Sequence, residues 1–223
     1  MNSEDNRTMS LHSGLYVFDG SVPEYMQLIE NIVFIHASCI TNDRTMATFV
    51  PPLSHDRMLN RWKQLIDETR EGKRIVVYWL SRIDDRSREP LDGDFKIPFS
   101  NTEWPHIKQG LEVGGVISLS LPESETGPFR GLVQNLFVHP LHRRKGIAKK
   151  LLSKIESCAS ENGRWSLMLD TTVGTPAERM YQTLGWNRLG TVPHYGLRPT
   201  GRGHETELAD EVWFWKDLRS GKR

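Results

Sequence analysis

Residues 136–148, Leu-Phe-Val-His-Pro-Leu-His-Arg-Arg-Lys-Gly-Ile-Ala, decide how the fold of this chain is interpreted. An apolar strand ends at Val138, a short loop follows, and three adjacent cations precede Gly146 at the start of an amphipathic helix. Helix N-termini leave backbone N–H groups unpaired and carry partial positive charge, and glycine lets an anion approach the backbone closely. The segment therefore predicts a phosphate or pyrophosphate cradle, with a solvated basic helix end as the alternative.

The hydrophobic periodicity of the rest of the chain predicts alternating helices and strands around this segment. Helices are expected at 22–38, 54–69, 146–161 and 176–184, and strands at 74–80, 113–121, 131–138, 165–171, after Trp186, and at 207–215. This order favours one α/β domain on a largely antiparallel sheet, in which one crossover makes two strands parallel. We expect a flexible polar tail at 1–12 and a single domain over 13–223, with an insertion at 81–110 that is too long for an ordinary loop.

Composition removes several classes of protein. The 223 residues carry 29 Lys and Arg against 28 Asp and Glu, a net charge of +1, whereas nucleic-acid binders normally carry a strong basic excess. Cys39 and Cys158 are far apart, so neither a disulfide scaffold nor a zinc–cysteine site is expected. His139 and His142 lie in a loop without a neighbouring carboxylate or thiolate, so no metal is predicted. The longest apolar run, 32–40, is too short for a membrane span, and we expect a cytoplasmic protein without nucleic-acid or membrane partners.

Two short patterns resemble signatures of the GNAT acetyltransferase superfamily. Arg-x-x-Gly-x-Ala at 143–148 matches that family's acetyl-CoA signature, Q/R-x-x-G-x-G/A, and Tyr-x-x-x-Gly-Trp at 181–186 resembles its second signature. More narrowly, the chain resembles the tabtoxin-resistance acetyltransferase and its bacterial relatives, over segments 49–54, 169–171, 177–181, 190–195 and 201–204. The resemblance covers about 22–217 apart from the insertion.

The resemblance implies an α/β (α+β) GNAT fold, a mixed, mostly antiparallel sheet of about six to seven strands flanked by helices. Acetyl-CoA is the implied co-substrate, wedged between two splayed parallel strands, 131–138 and 165–171. Splayed strands leave backbone N–H and C=O groups free to pair with an extended amide chain. The residues implied to bind the cofactor are Leu136, Phe137, Val138, Arg143, Arg144, Lys145, Gly146, Ile147, Ala148 and Lys149.

The implied reaction is direct acetyl transfer to a primary amine, without a covalent enzyme intermediate. Asp170 stands where the relatives carry an aspartate implicated in removing the amine proton, and its alternative role is to cap or orient the following loop. Tyr181 is the implied acid at the CoA sulfur, or a hydrogen-bond donor to the thiolate, and its alternative role is that of a buried helix aromatic. An α-amino group, with a pKa of about 8, needs less help from a base than a lysine amine at about 10.4. The expected acceptor is therefore a small amino-acid-like molecule or a toxin.

One strand departs from this pattern. The tabtoxin-resistance enzyme has a catalytic glutamate early in the strand equivalent to 131–138, where this chain has Leu132, with Gln134 two residues on and no carboxylate in the strand. Either Asp170 or a water chain then carries the proton alone, or the substrate differs. A protein or peptide N-acetyltransferase and a catalytically silent CoA-binding module are the competing functions.

The acceptor site is expected to come from loops at 40–53, 122–130 and 193–205. Because the insertion at 81–110 joins the first two strands of a meander, topology places it beside the phosphate end of the cofactor, and a disordered hairpin extension is the alternative. The last strand, 207–215, can pair within the chain or at the edge of a homodimer, so the oligomeric state is left open.

Overall fold

The computed structural model describes residues 11–19, 25–83, 96, 98–99, 105, 107 and 110–219. Within them the chain folds into a seven-stranded sheet in the order β1-β2-β3-β4-β5-β7-β6. The strands are β1 (Gly14–Val17), β2 (Arg74–Arg82), β3 (Leu111–Ser120), β4 (Arg130–Val138), β5 (Ser166–Thr172), β6 (Asn187–Pro199) and β7 (Thr206–Asp217). The helices are α1 (Tyr25–Asp43), α2 (His55–Arg70), α3 (Ile147–Glu161) and α4 (Pro176–Thr183).

The strand pairing is antiparallel except between β4 and β5, which confirms the predicted mixed, mostly antiparallel sheet. The sequence prediction missed β1, because four residues are too few to show an alternating pattern. This strand pairs with β2, and the rings of Tyr16 and Tyr78 stack across the pair with their centroids 5.6 Å apart. Its tertiary partner therefore defines β1 more than its own sequence does.

Capping residues set several of the helix boundaries. The Ser54 hydroxyl accepts a hydrogen bond from the backbone N–H of Arg57 and so begins α2. Pro176 occupies the first turn of α4, where its missing N–H costs nothing. Gly146 precedes α3 in the left-handed conformation, with φ 77°, which L side chains rarely adopt. The helix that follows the basic run therefore begins where the sequence predicts.

Helices cover both faces of the sheet and form two hydrophobic cores. On one face α1 and α2 bury a core that includes Leu28, Ile32 and Trp62. On the other face α3 and α4 bury a second core with Leu151 and Phe214. Burying a side chain of this size contributes roughly 1.5–3 kcal/mol, so the sheet is held firmly from both sides. In the part of the chain that the structure describes, no helix is long and apolar enough to cross a membrane.

The two parallel strands separate towards their C-terminal ends. The register of β4 with β5 covers only Arg130 to Leu132 of β4, although that strand continues to Val138. A bulge in the β3–β4 pairing bends β4, and Asn135 at the bulge has a positive φ of 56°. Beyond Leu132, β4 therefore has an edge that β5 does not cover, as the predicted cofactor cleft requires.

Two predicted segments fall largely outside the described residues. Of the predicted tail at 1–12, Leu11 is described and is buried, at 7% exposure, in the core beneath α1 and α2. Of the predicted insertion at 81–110, the backbone at Lys96 exchanges two hydrogen bonds with the Asn42 side chain near the end of α1. Because Arg82 pairs with Leu111, the insertion joins the ends of β2 and β3 at the same end of the sheet where β4 finishes.

Candidate active site

A cavity of about 960 Å³ opens between the diverging ends of β4 and β5. The α1–α2 connection closes it on one side, and α3, α4 and the β6–β7 pair complete its walls. The lining comprises residues 39, 43, 45–48, 133–138, 142–144, 146–149, 170–172, 175–177, 180–181, 195–196 and 211. The cavity therefore joins the predicted anion cradle at one end to the predicted catalytic residues at the other.

The structure brings together almost all of the residues predicted from the sequence. Both predicted catalytic residues, Asp170 and Tyr181, line the cavity. So do the predicted cofactor residues Leu136, Phe137, Val138, Arg143, Arg144, Gly146, Ile147, Ala148 and Lys149. Lys145 is the exception: it is exposed and outside the lining, with its Nζ 3.4 Å from Nδ1 of His142. The prediction that these residues hold acetyl-CoA has geometry in its favour and stays a prediction.

Two side-chain contacts fix the loop between β4 and α3, one buried and one partly exposed. Nε2 of His142 lies 2.7 Å from Oε1 of Glu112 at the start of β3. The Arg143 guanidinium forms a bidentate pair with the Asp43 carboxylate at the end of α1, with an Nη1–Oδ1 distance of 2.7 Å. Burial lowers the pKa of His139 to about 3, so that imidazole is neutral at physiological pH. Among the described residues no group of three or more His, Cys, Asp or Glu is arranged to hold a metal ion.

The start of α3 offers an open surface to an anion. A Cβ added to Gly146 would meet no atom within 4 Å, so space remains above the backbone here. The first N–H groups of a helix have no intrahelical partner, and they carry the positive end of the helix dipole. The exposed cations Arg144 and Lys149 flank the same turn, and Arg144 also has a positive φ, 61°. These groups fit the pyrophosphate of CoA.

The other end of the cavity holds a pair of carboxyl groups, Asp170 and Glu211, of which the sequence predicted only Asp170. Asp170 on β5 and Glu211 on β7 are diagonal neighbours, because Asp170 is in register with Trp213 and Thr172 with Glu211. Their carboxyl groups hydrogen-bond to each other, and Glu211 is only 4% exposed. Burial, with the neighbouring carboxylate, raises the pKa of Glu211 to about 8, and burial raises that of Asp170 as well. At neutral pH the two groups share about one proton.

Glu211 was not predicted, because the family resemblance places the second carboxylate on the strand at 131–138. The side chain comes instead from β7, two strands away along the sheet order. A signal was present: Glu211 stands directly before the apolar run Val-Trp-Phe-Trp at 212–215, and charge is rarely buried in such a strand without a partner. On β4 itself the Gln134 side chain accepts a hydrogen bond from Arg74 and so is held by a structural contact.

Tyr181 combines both roles that the sequence allowed. The residue is 5% exposed on α4, and its ring packs against Phe214 and Trp186 with centroid distances of 5.6 and 6.3 Å. It also lines the cavity that holds Asp170. Burial raises the pKa of the phenol above its ordinary value, so its proton is retained at neutral pH. The residue is therefore suited to donate a hydrogen bond to a developing anion rather than to give up its proton.

Only some of the loops that were predicted to line the acceptor side of the cavity do so. Residues 45–48 of the α1–α2 connection and 195–196 of β6 line it, and a side chain at Gly196 would collide with Met46. The prediction that the hairpin at 122–130 lines the acceptor site is wrong, because none of its residues lies in the described lining. That hairpin leads into the N-terminal end of β4, whereas the cavity opens at the C-terminal end.

Residues 107–188 match the family model described as an acetyltransferase (GNAT) domain. Over this segment the chain is therefore similar to GNAT acetyltransferases. It is 26% identical over 127 residues to the N-acetylaspartate synthetase of Danio rerio, covering 56% of this chain and 44% of that protein. It is 32% identical over 88 residues to human N-acetyltransferase 8, covering 39% of each protein. The chain thus spans less than half the length of either of these curated relatives.

Solved structures of acetyltransferases share the fold of this chain. A Salmonella typhimurium protein whose structure includes its cofactor acetyl-CoA superposes with a TM-score of 0.55 at 17% identity, over 93% of this chain and 95% of that one. GNAT acetyltransferases use acetyl-CoA, and the cleft between β4 and β5 is where the prediction places it on this fold. The narrower resemblance to the tabtoxin-resistance enzyme has no counterpart among these matches.

Proposed function

We propose that this protein transfers the acetyl group of acetyl-CoA to a primary amine of a small molecule by direct attack. The observation that carries the proposal is the continuity of the cavity, which joins the start of α3 to Asp170, Glu211 and Tyr181 between the diverging ends of β4 and β5. A thioester held along β4 with its phosphates at α3 would present its carbonyl next to these three side chains.

The backbone supplies most of the cofactor binding in this proposal. The N–H groups at the first turn of α3 bind the pyrophosphate, and Arg144 and Lys149 add positive charge. The edge of β4 at 136–138, which β5 leaves uncovered, pairs with the amides of the pantetheine arm. Acetyl-CoA supplies the activated acetyl group when bound. The residues of β4 would hold its carbonyl within the cavity.

The proton balance follows from the carboxyl pair. The acceptor enters as an ammonium ion and gives one proton to the singly protonated Asp170–Glu211 pair, which leaves a neutral amine. The amine nitrogen then forms a bond to the acetyl carbon, and the C–S bond breaks. One remaining amine proton stays on the amide nitrogen and the other leaves with the CoA thiolate as free thiol. Tyr181 donates a hydrogen bond to the sulfur while the negative charge develops.

The acceptor in this proposal is a small amino-acid-like molecule or a toxin, and the enzyme is cytoplasmic. The missing carboxylate of β4 is replaced by Glu211, which allows the tabtoxin-like chemistry implied by the sequence to run with a relocated base. One relative is named for acetylating aspartate, in keeping with a small acceptor. Cys39 and Cys158 are both free and buried, which suits a cytoplasmic setting. A toxin as the acceptor would make the enzyme one of detoxification type. A protein or peptide acetyltransferase is the second candidate, since the half-exposed Tyr195 at the cavity wall leaves room for a longer chain.

A thiol-release assay tests the proposal. The purified chain is given acetyl-CoA and a panel of amino acids, polyamines, aminoglycosides and histone peptides, and acetyl-CoA binding is measured separately by calorimetry. Turnover with a small amine supports the proposal, and turnover with peptides alone supports the second candidate. Tight acetyl-CoA binding without turnover of any acceptor would overturn both in favour of a silent CoA-binding module.

A further inference from the structure

Positive and negative side chains lie at different ends of the cavity. The cations of the described lining, Arg143, Arg144 and Lys149, all belong to the loop and first turn of α3. Asp43 lies at the same end and is already paired with Arg143. The remaining carboxyl groups of the described lining, Asp170 and Glu211, lie at the opposite end. The cavity is therefore basic where the cofactor phosphates fit and acidic where the acceptor must enter.

The rest of the acceptor end is neutral. Its lining in the described residues consists of Thr45, Met46, Ala47, Thr48, Tyr195 and Gly196. Arg44 is the nearest cation along this connection, but it lies outside the lining, with its guanidinium packed at the turn of Gly201. Within the described lining, an acceptor carboxylate placed here would therefore meet no cation, and it would lie beside a pair that is already anionic. Like charges that lie close together and away from water repel each other strongly.

The same end suits a second positive charge on the acceptor. Glu211 is 4% exposed and shares one proton with Asp170, so the pair keeps about one negative charge away from water for an incoming ammonium. Tyr195, 52% exposed, forms a T-shaped contact with Trp213, with ring centroids 6.2 Å apart, and lines the wall of the cavity. Aromatic faces attract ammonium groups. One ammonium at the carboxyl pair and another near Tyr195 would satisfy both features.

We infer that the acceptor is a di- or polyamine that carries no carboxylate near the reacting amine, held by the Asp170–Glu211 pair. The inference rests on the proposed acetyl transfer and narrows its acceptor from amino-acid-like molecules to cationic amines. Glu211 is thereby assigned a role in substrate binding as well as in proton transfer. The reaction is unchanged: the amine loses one proton to the pair, forms the amide, and releases CoA with a thiol proton.

A matched pair of acceptors tests the inference. 1,5-Diaminopentane is lysine without its carboxylate, so the two compounds isolate the effect of that group. With the native chain and saturating acetyl-CoA, we expect kcat/KM for the diamine to exceed that for lysine or aspartate by at least about tenfold. We expect Glu211→Gln to raise KM for the diamine by about tenfold, while the Kd for acetyl-CoA stays unchanged. Glu161→Gln, which alters an exposed carboxylate on α3, is the control and leaves both constants as they are.

The outcomes separate the inference from the function on which it rests. Lysine or aspartate used as well as the diamine would overturn the inference and leave acetyl transfer standing, and so would an unchanged KM in Glu211→Gln. Acetyl-CoA binding without turnover of any acceptor would overturn both. Thermal unfolding of Glu211→Gln checks that the variant is folded. Should it unfold, Asp170→Asn replaces it, with binding of the diamine measured by calorimetry in the presence of CoA.

Discussion

Arg143 and Asp43, 100 residues apart in sequence, form a bidentate ion pair that ties the cofactor loop to the end of α1. Arg143 opens the signature that first pointed to acetyl-CoA, yet its guanidinium is directed at this carboxylate and at the backbone oxygen of Val138. Both side chains are about one-third exposed, at 36% and 34%. The arginine therefore contributes by holding the loop in shape, while Gly146 and the backbone of α3 face the anion site.

This arrangement predicts non-additive effects on cofactor affinity. Arg143→Ala and Asp43→Ala should each weaken acetyl-CoA binding several-fold, because each frees the loop from α1. The double variant should be hardly worse than either single one, giving a coupling free energy of about 0.5–1 kcal/mol. Calorimetric titration with acetyl-CoA measures all three. Full additivity would mean instead that Arg143 contacts the phosphates independently of Asp43.

Gly146 should be the most sensitive position of the cradle. Its φ of 77° makes any L side chain strained, at a cost of about 1–2 kcal/mol, even though a Cβ would meet no atom. Gly146→Glu adds a negative charge where the pyrophosphate is expected, and acetyl-CoA binding should be abolished. Gly146→Ala separates the two effects, because it carries the strain without the charge and should retain measurable binding. Retained affinity in Gly146→Glu would contradict the placement of the pyrophosphate.

Much of the fold was readable from the sequence because its signals are local. The amphipathic pattern of α3 and the β-branched and aromatic residues of β2 identified those elements without any partner. β1 was missed since four residues pair with β2 only once the sheet exists. The cleft itself came from the family resemblance, while the bulge at Asn135 that bends β4 has no sequence pattern of its own.

Only the part of the site that lies in local sequence motifs could be predicted. Asp170 and Gly146 lie in motifs, so their roles could be carried over residue by residue. Glu211 reaches Asp170 only through the register of β5 with β7, which depends on tertiary pairing. The hairpin at 122–130 failed as an acceptor wall because a loop's position along the chain does not say which end of a strand the cavity uses.

The phenol of Tyr181 provides a second test of the chemistry. Tyr181→Phe removes the hydrogen bond to the departing sulfur and keeps the ring packed on Phe214 and Trp186. We expect kcat to fall about 10- to 100-fold with little change in KM for either substrate, as for the loss of one hydrogen bond to a charged group. Steady-state kinetics with acetyl-CoA and the best amine give both constants. A variant with normal kcat would show that the ring, and not the hydroxyl, is what the site needs.

Asp170 should control the pH profile of the reaction. Burial raises its pKa, and the pair it forms with Glu211 must hold at least one negative charge to accept the amine proton. Asp170→Asn should lower kcat by about 10²- to 10³-fold and shift the acid limb of the kcat profile, because Glu211 is then the one carboxyl group of the pair left to take the proton. Rates measured from pH 5.5 to 9 decide the point. If Asp170 only orients the following loop, the variant would keep the shape of the native profile at a reduced rate.

The carboxyl pair also predicts how stability depends on pH. Glu211 has a pKa of about 8 in the folded chain against an ordinary value of 4.5, so the folded state binds more protons between these values. The contribution of Glu211 to the free energy of unfolding should therefore fall as pH rises through this range, by up to about 1.4 kcal/mol per pH unit. Because the buried His36 and His139 have lowered pKa values and contribute in the opposite direction, the comparison with Glu211→Gln isolates the Glu211 contribution. Glu211→Gln mimics the protonated form, donates to Asp170 and does not titrate. In urea unfolding at pH 5, 6, 7 and 8, its stability relative to the native chain should grow with pH, whereas Glu161→Gln should follow the native curve. A constant difference between Glu211→Gln and the native chain across this range would mean that Glu211 is ionised in the folded state, as an ordinary glutamate is.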